Sequence, residues 1–156
     1  MVFTVEVESS VSASRMFKAA VLDWHNLAPK VAPEIIISGV GLEGEGAVGS
    51  IRQLNFSSVL PFSFVKERLD FVDHDKFEVK STLIEGGLLT TTLDSASMHF
   101  KIDPTSSGGS LCKAALDFKP KPGVDAGDEA TKGNEHLAQV FKKVEAFLVA
   151  NPDAYV

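Results

Sequence analysis

At 156 residues and 44% hydrophobic side chains, the chain is long enough to bury a sizeable core within one compact domain, residues 1–156. Its formal net charge of −6 argues against nonspecific attachment to nucleic acid or to an anionic membrane, and no apolar run approaches the ~20 residues of a spanning helix. One cysteine, Cys112, excludes an internal disulfide; with no secretory apolar segment in "MVFTVEVESS", the expected setting is reducing, intracellular and cytoplasmic.

In chain order, "FTVEVES" comes first, with Phe3, Val5 and Val7 on one face and Thr4, Glu6 and Glu8 on the other. This period of two predicts a half-buried strand. "SASRMFKAAVLDW" follows, with serine caps and with Met16, Phe17, Ala20, Val21 and Trp24 at helical spacing. A second short helix is expected from His25 or Asn26, ending before Pro33. Six strand-like segments come next: "EIIISGVGL", "GSIRQLNF", "FSFVKERLDFV", "KFEVKSTLI", "LLTTTLDSASMHFKID" and "GSLCKAALDFK", separated by short turns.

A long helix is predicted last, over about Asp128 to Asn151. Leu137, Val140, Phe141, Val144, Phe147 and Leu148 form its apolar stripe, against Lys142, Lys143 and Glu145. The stripe is uneven, because the first half of the helix offers only Ala130, Gly133 and His136 near that face. Strand, two short helices, six strands and one helix predict an α+β fold: an antiparallel sheet whose apolar face the long helix covers.

"GEGAVG", Gly44 to Gly49, has the G-x-G-x-x-G spacing of a dinucleotide-binding turn. That motif works only where a helix begins, because the free N–H groups of the helix hold the pyrophosphate. Here the strand "SIRQLNF" follows, and Glu43 and Glu45 would repel a phosphate. The expectation is a glycine-rich connection between antiparallel strands.

Alternation turns Phe77, Val79 and Leu83 inward, with Ala96, Met98, Phe100 and Ile102, and with Ala114, Leu116 and Phe118. Two charges fall in phase with apolar sets: Arg52 with Leu54 and Phe56, and Asp94 with Ala96 and Met98. Either both sit at strand ends near solvent, or the interior is partly hydrated and orients a ligand's polar group. Around Phe64 and Glu67 the alternation changes phase, as a β-bulge would cause, which turns Glu67 inward. The histidines, His25, His74, His99 and His136, have no metal-ligand spacing, and Cys112 has no ligand partner. His74 reads as a solvated turn residue, His136 as a partly exposed helix residue and Glu145 as a surface helix residue. No nucleophile elbow is present. Neither a metal nor another cofactor is expected.

"GEGAVGSIRQLNF", "VKERLDFVD", "IEGG" and the ending "VEAFLVANPDAY" resemble, in order and over the whole chain, the plant class-10 pathogenesis-related proteins, the group of the major birch pollen allergen. "DWHNLAPKVAP" is most similar to monocot members. The resemblance implies a helix-grip fold, with a seven-stranded curved sheet around a long C-terminal helix and two short helices in a V. It also implies an internal cavity for amphipathic ligands such as cytokinins, flavonoids, sterols and other hormones or phenolics. Matching positions for pocket contacts are Ala20, Val21, Leu54, Phe56 and Phe62, then Phe64, Glu67, Val79, Ser81 and Leu83, and then Met98, Phe100, His136, Leu137 and Val140. Arg52 joins them from strand phase. Phe64, Val79 and Ser81 stand where tyrosines are common in the family.

Ribonuclease activity, attributed to some members, is the alternative implied. It would use the glycine loop (Gly44, Gly46 and Gly49), Asp94 where a glutamate is usual, and Glu145. Ala47 and Phe147 depart from that pattern. Of the residues used by condensing relatives only Glu67 matches, with Val65, Val79 and Met98 at the other positions. "VLPF", Val59 to Phe62, resembles the gate of abscisic acid receptors, but their latch triplet is absent from "EGGLLTTT". The expected partners are small amphipathic ligands, with RNA only under the ribonuclease alternative. The chain is expected to be a monomer that does not insert into membranes.

Overall fold

The computed structural model describes residues 2–44, 46–125 and 127–156, without the side chains of residues 90, 129 and 130; Glu45 and the Ala130 side chain, invoked above, lie outside the described residues. Strand β1 (Val2–Ser9) buries Val5 and Val7 and exposes Thr4-side neighbours such as Glu6, as its alternation requires. The chain then forms α1 (Ala13–Met16), whose N-cap Ser12 accepts from the Arg15 N–H. It continues as a π-helical segment, Phe17–Leu22, that closes with Asp23 N–H donating to the Lys18 carbonyl at 3.0 Å. Helix α2 (Trp24–Val31) follows at once, with Pro29 inside it.

Six strands succeed one another: β2 (Ile36–Glu43), β3 (Ile51–Phe56), β4 (Phe64–Asp73), β5 (Glu78–Gly86), β6 (Leu93–Pro104) and β7 (Ser110–Pro120). They form one antiparallel sheet of order β1-β7-β6-β5-β4-β3-β2. Consecutive strands from β2 to β7 are therefore neighbours, while β1 closes the far edge against β7. The helical segment between β1 and β2 has to travel from one edge of the sheet to the other.

The final helix, α3 (Gly127–Ala150), buries Val140, Phe141, Val144 and Leu148. Its backbone contacts concentrate on β1, α2 and residues 13–22. The guanidinium of Arg15 closes its C-terminus, donating from Nε to Ala154 O at 3.0 Å and from one terminal nitrogen to Leu148 O and Asn151 O at 3.1 and 2.9 Å. These are carbonyls that a helix end leaves without partners. The core thus sits where the second half of α3 meets α1, the π-segment and β1.

Two irregularities reset strand phase. In the β4–β5 pair the register shifts at Lys66/Glu67 and again at Leu69/Phe71, and Val65, Glu67 and Leu69 point inward. At the start of β6 a shift between Leu93 and Ser95 buries Leu93 and leaves Asp94 exposed. Of the two placements considered for Asp94, the strand end near solvent is therefore the one it takes. The bulge seats an aliphatic side chain where strict alternation would have buried an unpaired carboxylate. Among the described residues no helix is long and apolar enough to cross a membrane.

Candidate functional site

Between the sheet and the first half of α3 lies a partly open cavity of about 460 Å³. It exists because α3 has little with which to fill it: Gly133 has no side chain, and the large residues of the stripe begin only at Leu137. The walls are mostly apolar. Strands β3 to β5 supply Leu54, Phe56, Val65 and Leu83; β6 and β7 supply Met98, Phe100, Leu116 and Phe118. The loop between β3 and β4 closes one side with Val59, Leu60, Pro61 and Phe62, and the Phe56 and Phe62 rings meet edge to face at 5.3 Å.

Of the sixteen pocket positions expected from the sequence, ten line this space. Leu54, Phe56, Phe62, Glu67, Leu83, Met98 and Phe100 do so from the sheet side and its loop, and His136, Leu137 and Val140 from α3. The other six do not. Ala20, Val21 and Val79 are packed into the solid core. Arg52 and Ser81 are buried behind Glu67. Phe64 is displaced because the inward phase of β4 begins one residue later, at Val65. Its ring lies instead beside Gly86, under the Lys66 ammonium at 6.0 Å.

Sequence reasoning missed Trp24, Ile35, Ile36 and Leu88, which reach the cavity only through the packing of α2 and of the 3₁₀ turn Gly87–Thr90. It also missed Leu116, Phe118, Lys132 and Gly133 as wall residues. Their signals were present in the β7 alternation and in the thin first half of α3.

Arg52, Glu67 and Ser81 form a buried polar cluster. Arg52 Nε pairs with Glu67 Oε1, and one terminal nitrogen donates to Val21 O at 2.9 Å and Leu22 O at 3.3 Å. Ser81 Oγ donates to Glu67 Oε2 at 3.4 Å. A strand end near solvent, one of the two placements considered for Arg52, is therefore not where it lies. It is 6% exposed, and its charge is met by a carboxylate and by the carbonyl end of the π-helical segment. His25 Nδ1 lies 3.5 Å from the same nitrogen, and burial, reinforced by the Arg52 charge, holds its pKa below the ordinary imidazole value.

The glycine-rich turn serves geometry. Gly44, Gly46 and Gly49 all have positive φ, at 71°, 90° and 91°. The N–H of Gly46 donates to Ser50 Oγ and that of Gly49 to Leu69 O, so these donors are already engaged within the fold. Gly44 and Gly46 border a second, more polar cleft of about 300 Å³, shared with His25, Asn26 and Arg52.

The two carboxylates of the ribonuclease alternative do not come together. Asp94 stands where β6 pairs with the Pro120 end of β7, whereas Glu145 Oε2 accepts the Ser10 N–H at 2.9 Å, beside the Ser110 end. Ten residues of β7 separate those ends, roughly 30 Å of strand, too far to flank one ribose. Burial opposes ionisation of Glu145, but hydrogen bonds from Ser9 and the Ser10 N–H, with Lys142 nearby, hold its pKa below the ordinary carboxylate value. Cys112 is equally unsuited to chemistry, because burial pushes its thiol up to about 11.

Residues 1–151 match the sequence model of the pathogenesis-related protein Bet v 1 family. The chain is 53% identical to pathogenesis-related protein 1 of Asparagus officinalis, over 97% of this chain and 95% of that protein. It is 40% identical to the major pollen allergen Bet v 1-M/N of Betula pendula, over 96% and 94%. The crystal structure of Ara h 8.0201 superposes with a TM-score of 0.82 at 27% identity, covering 97% of this chain and 99% of that one. With the sheet order, the gripped helix and these similarities in agreement, the chain belongs to the pathogenesis-related protein Bet v 1 family.

Proposed function

We propose that this protein is a plant defence- and stress-associated carrier or reservoir for small amphipathic molecules, such as cytokinins, flavonoids and other hormones or phenolics, held in the internal cavity. The observation that carries this is the hollow itself: about 460 Å³, walled mostly by aliphatic and aromatic side chains, with Ser58, Glu67, Lys132 and His136 as its few polar or charged side chains. Ligand sites are built this way, with volumes of about 300–1,000 Å³ and a few polar groups that fix orientation. Membership of the family and the 53% identity to a pathogenesis-related protein support the defence context. RNA cleavage gains no support from Asp94 and Glu145 at opposite ends of β7.

Trp24, the only tryptophan, lines the cavity and serves as an internal reporter. Titration calorimetry and Trp24 fluorescence against a panel of cytokinins, flavonoids and simple phenolics are expected to give saturable binding tighter than about 1 mM, or roughly −4 kcal/mol. Absence of saturable binding across the whole panel rejects the proposal.

A further inference from the structure

The buried pair of Arg52 and Glu67 stands as a partition between two spaces. Glu67 lines the cavity, Arg52 lines the polar cleft between β2, β3 and the start of α2, and no described residue lines both. The guanidinium commits Nε to Glu67 and one terminal nitrogen to Val21 O and Leu22 O. Its other terminal nitrogen has no acceptor among the described residues, although the side chain is only 7% exposed. That nitrogen is not sealed off, and because Arg52 borders the cleft and not the cavity, it meets solvent through the cleft. A charged donor left open in this way gains from an acceptor that a ligand brings.

The charges around this nitrogen limit what can bind. Among the described residues, the charged side chains of the cleft are Asp23, Glu43 and Arg52, and Arg52 is already neutralised by Glu67. His25 adds no positive charge at pH 7, because burial and the Arg52 guanidinium hold its pKa below the ordinary imidazole value. An anion would meet two carboxylates, and a cation would meet the guanidinium. A neutral molecule avoids both. Leu22, Ile51 and Leu69 place apolar surface beside these polar groups. Gly41 is the cross-strand partner of Arg52, so the two residues share a face of the sheet, and a Cβ added at Gly41 would meet nothing within 4 Å. The missing side chain therefore keeps the space over the guanidinium clear.

We propose that this cleft is a second ligand site, for neutral polyhydroxylated molecules of monosaccharide size, with Arg52 as the donor at its floor. Its volume of about 300 Å³ stands at the small end of the ~300–1,000 Å³ range of ligand sites. A hydroxyl accepts and donates at once, which suits a site that offers a cationic donor beside anionic acceptors. One hydroxyl oxygen takes the open guanidinium N–H, while hydroxyl protons go to the Glu43 and Asp23 carboxylates, in charge-assisted bonds stronger than neutral ones. Asp23 already accepts from Asn26 and Tyr155, one bond on each oxygen, and a carboxylate oxygen has lone pairs for a second. The C–H face of the ring then lies against Leu22, Ile51 and Leu69. The site is separate from the cavity and does not depend on what the cavity binds.

The test titrates ¹⁵N-labelled protein with methyl β-D-glucopyranoside at pH 7 and follows the backbone amide shifts. Saturable shifts are expected at Gly41, Gly44, Gly46 and Ser50, with a Kd of about 10 mM or tighter. The amides of Leu137 and Val140 in the cavity wall, and Trp24 fluorescence, stay unchanged. Methyl β-D-glucopyranosiduronate, which carries a carboxylate on the same ring, is expected to bind at least about ten-fold more weakly. Gly41→Leu fills the space over the guanidinium and should remove binding. Arg52→Met combined with Glu67→Leu removes the donor without stranding a charge and should weaken binding about ten-fold. Circular dichroism reports an unchanged fold in both. No saturable shift around the cleft overturns the inference, as do shifts confined to the cavity wall. A uronate that binds as tightly as the glucoside, or undiminished affinity in either folded variant, also overturns it. Failure of the cavity to bind its own panel leaves this site standing, so the two readings fall separately.

Discussion

The guanidinium of Arg52 faces Glu67, two helix-end carbonyls and His25; Arg52 and Glu67 are buried, while His25 is only partly so, at the edge of the polar cleft. The side chains of Arg52 and Glu67 are 7% and 3% exposed, so neither charge is solvated if the other is removed. Arg52→Met should therefore lower the unfolding free energy by about 3–5 kcal/mol, because it strands the Glu67 carboxylate. Adding Glu67→Leu should restore most of that loss, since a buried pair replaced by apolar side chains is close to neutral. Urea denaturation of the two single variants and the double variant measures this directly. A double variant no more stable than Arg52→Met would show that the pair does not act as a unit.

At the scale of elements, the grip depends on how closely the short helices approach the sheet edge. Helix α2 lies against β2, and a Cβ placed on Gly39 would overlap the His25 carbonyl. This glycine answers a contact between two backbones. Gly39→Ala forces α2 away from β2 and is expected to cost about 1–3 kcal/mol, the range for overpacking. In a chain of this length that lowers Tm by several degrees, at about 2–4 °C per kcal/mol. Thermal unfolding of Gly39→Ala beside Gly41→Ala, where a Cβ meets nothing within 4 Å, separates this clash from the general effect of losing a glycine. Equal midpoints would remove the close approach as the cause.

Taken whole, the molecule is solid at one end of α3 and hollow at the other. Arg15 anchors the solid end by bonding the carbonyls after Leu148, and the Tyr155 hydroxyl donates to Asp23 at 2.5 Å. Over the hollow, α3 keeps a glycine in mid-helix, which costs roughly 0.5–1 kcal/mol relative to alanine. Gly133→Leu should raise stability by about that amount while placing a side chain at the cavity and weakening ligand binding. Parallel thermal unfolding and calorimetry read the two effects. A variant with unchanged stability and undiminished affinity would deny Gly133 a part in keeping the space open.

The order of elements was legible in the chain because alternation and helical spacing are local properties. Val5 and Val7, the set from Ala96 to Ile102, and the stripe from Val140 to Leu148 all face the core as their spacing predicts. The phase change in β4 predicts the inward direction of Glu67, and the uneven α3 stripe accords with the hollow that the family resemblance implies. Three kinds of fact required the tertiary structure. The phase of Asp94 depends on a one-residue bulge opposite β7, and the separation of Asp94 from Glu145 depends on which ends of β7 they adjoin. Whether Val21 and Val79 line a cavity or fill a core is decided by where α3 stands above the sheet. The partners of Arg52 are 15 and about 30 residues away in sequence, so its neutralisation is a product of long-range packing. Periodicity tells which way a side chain points; only the meeting of distant elements decides what it finds there.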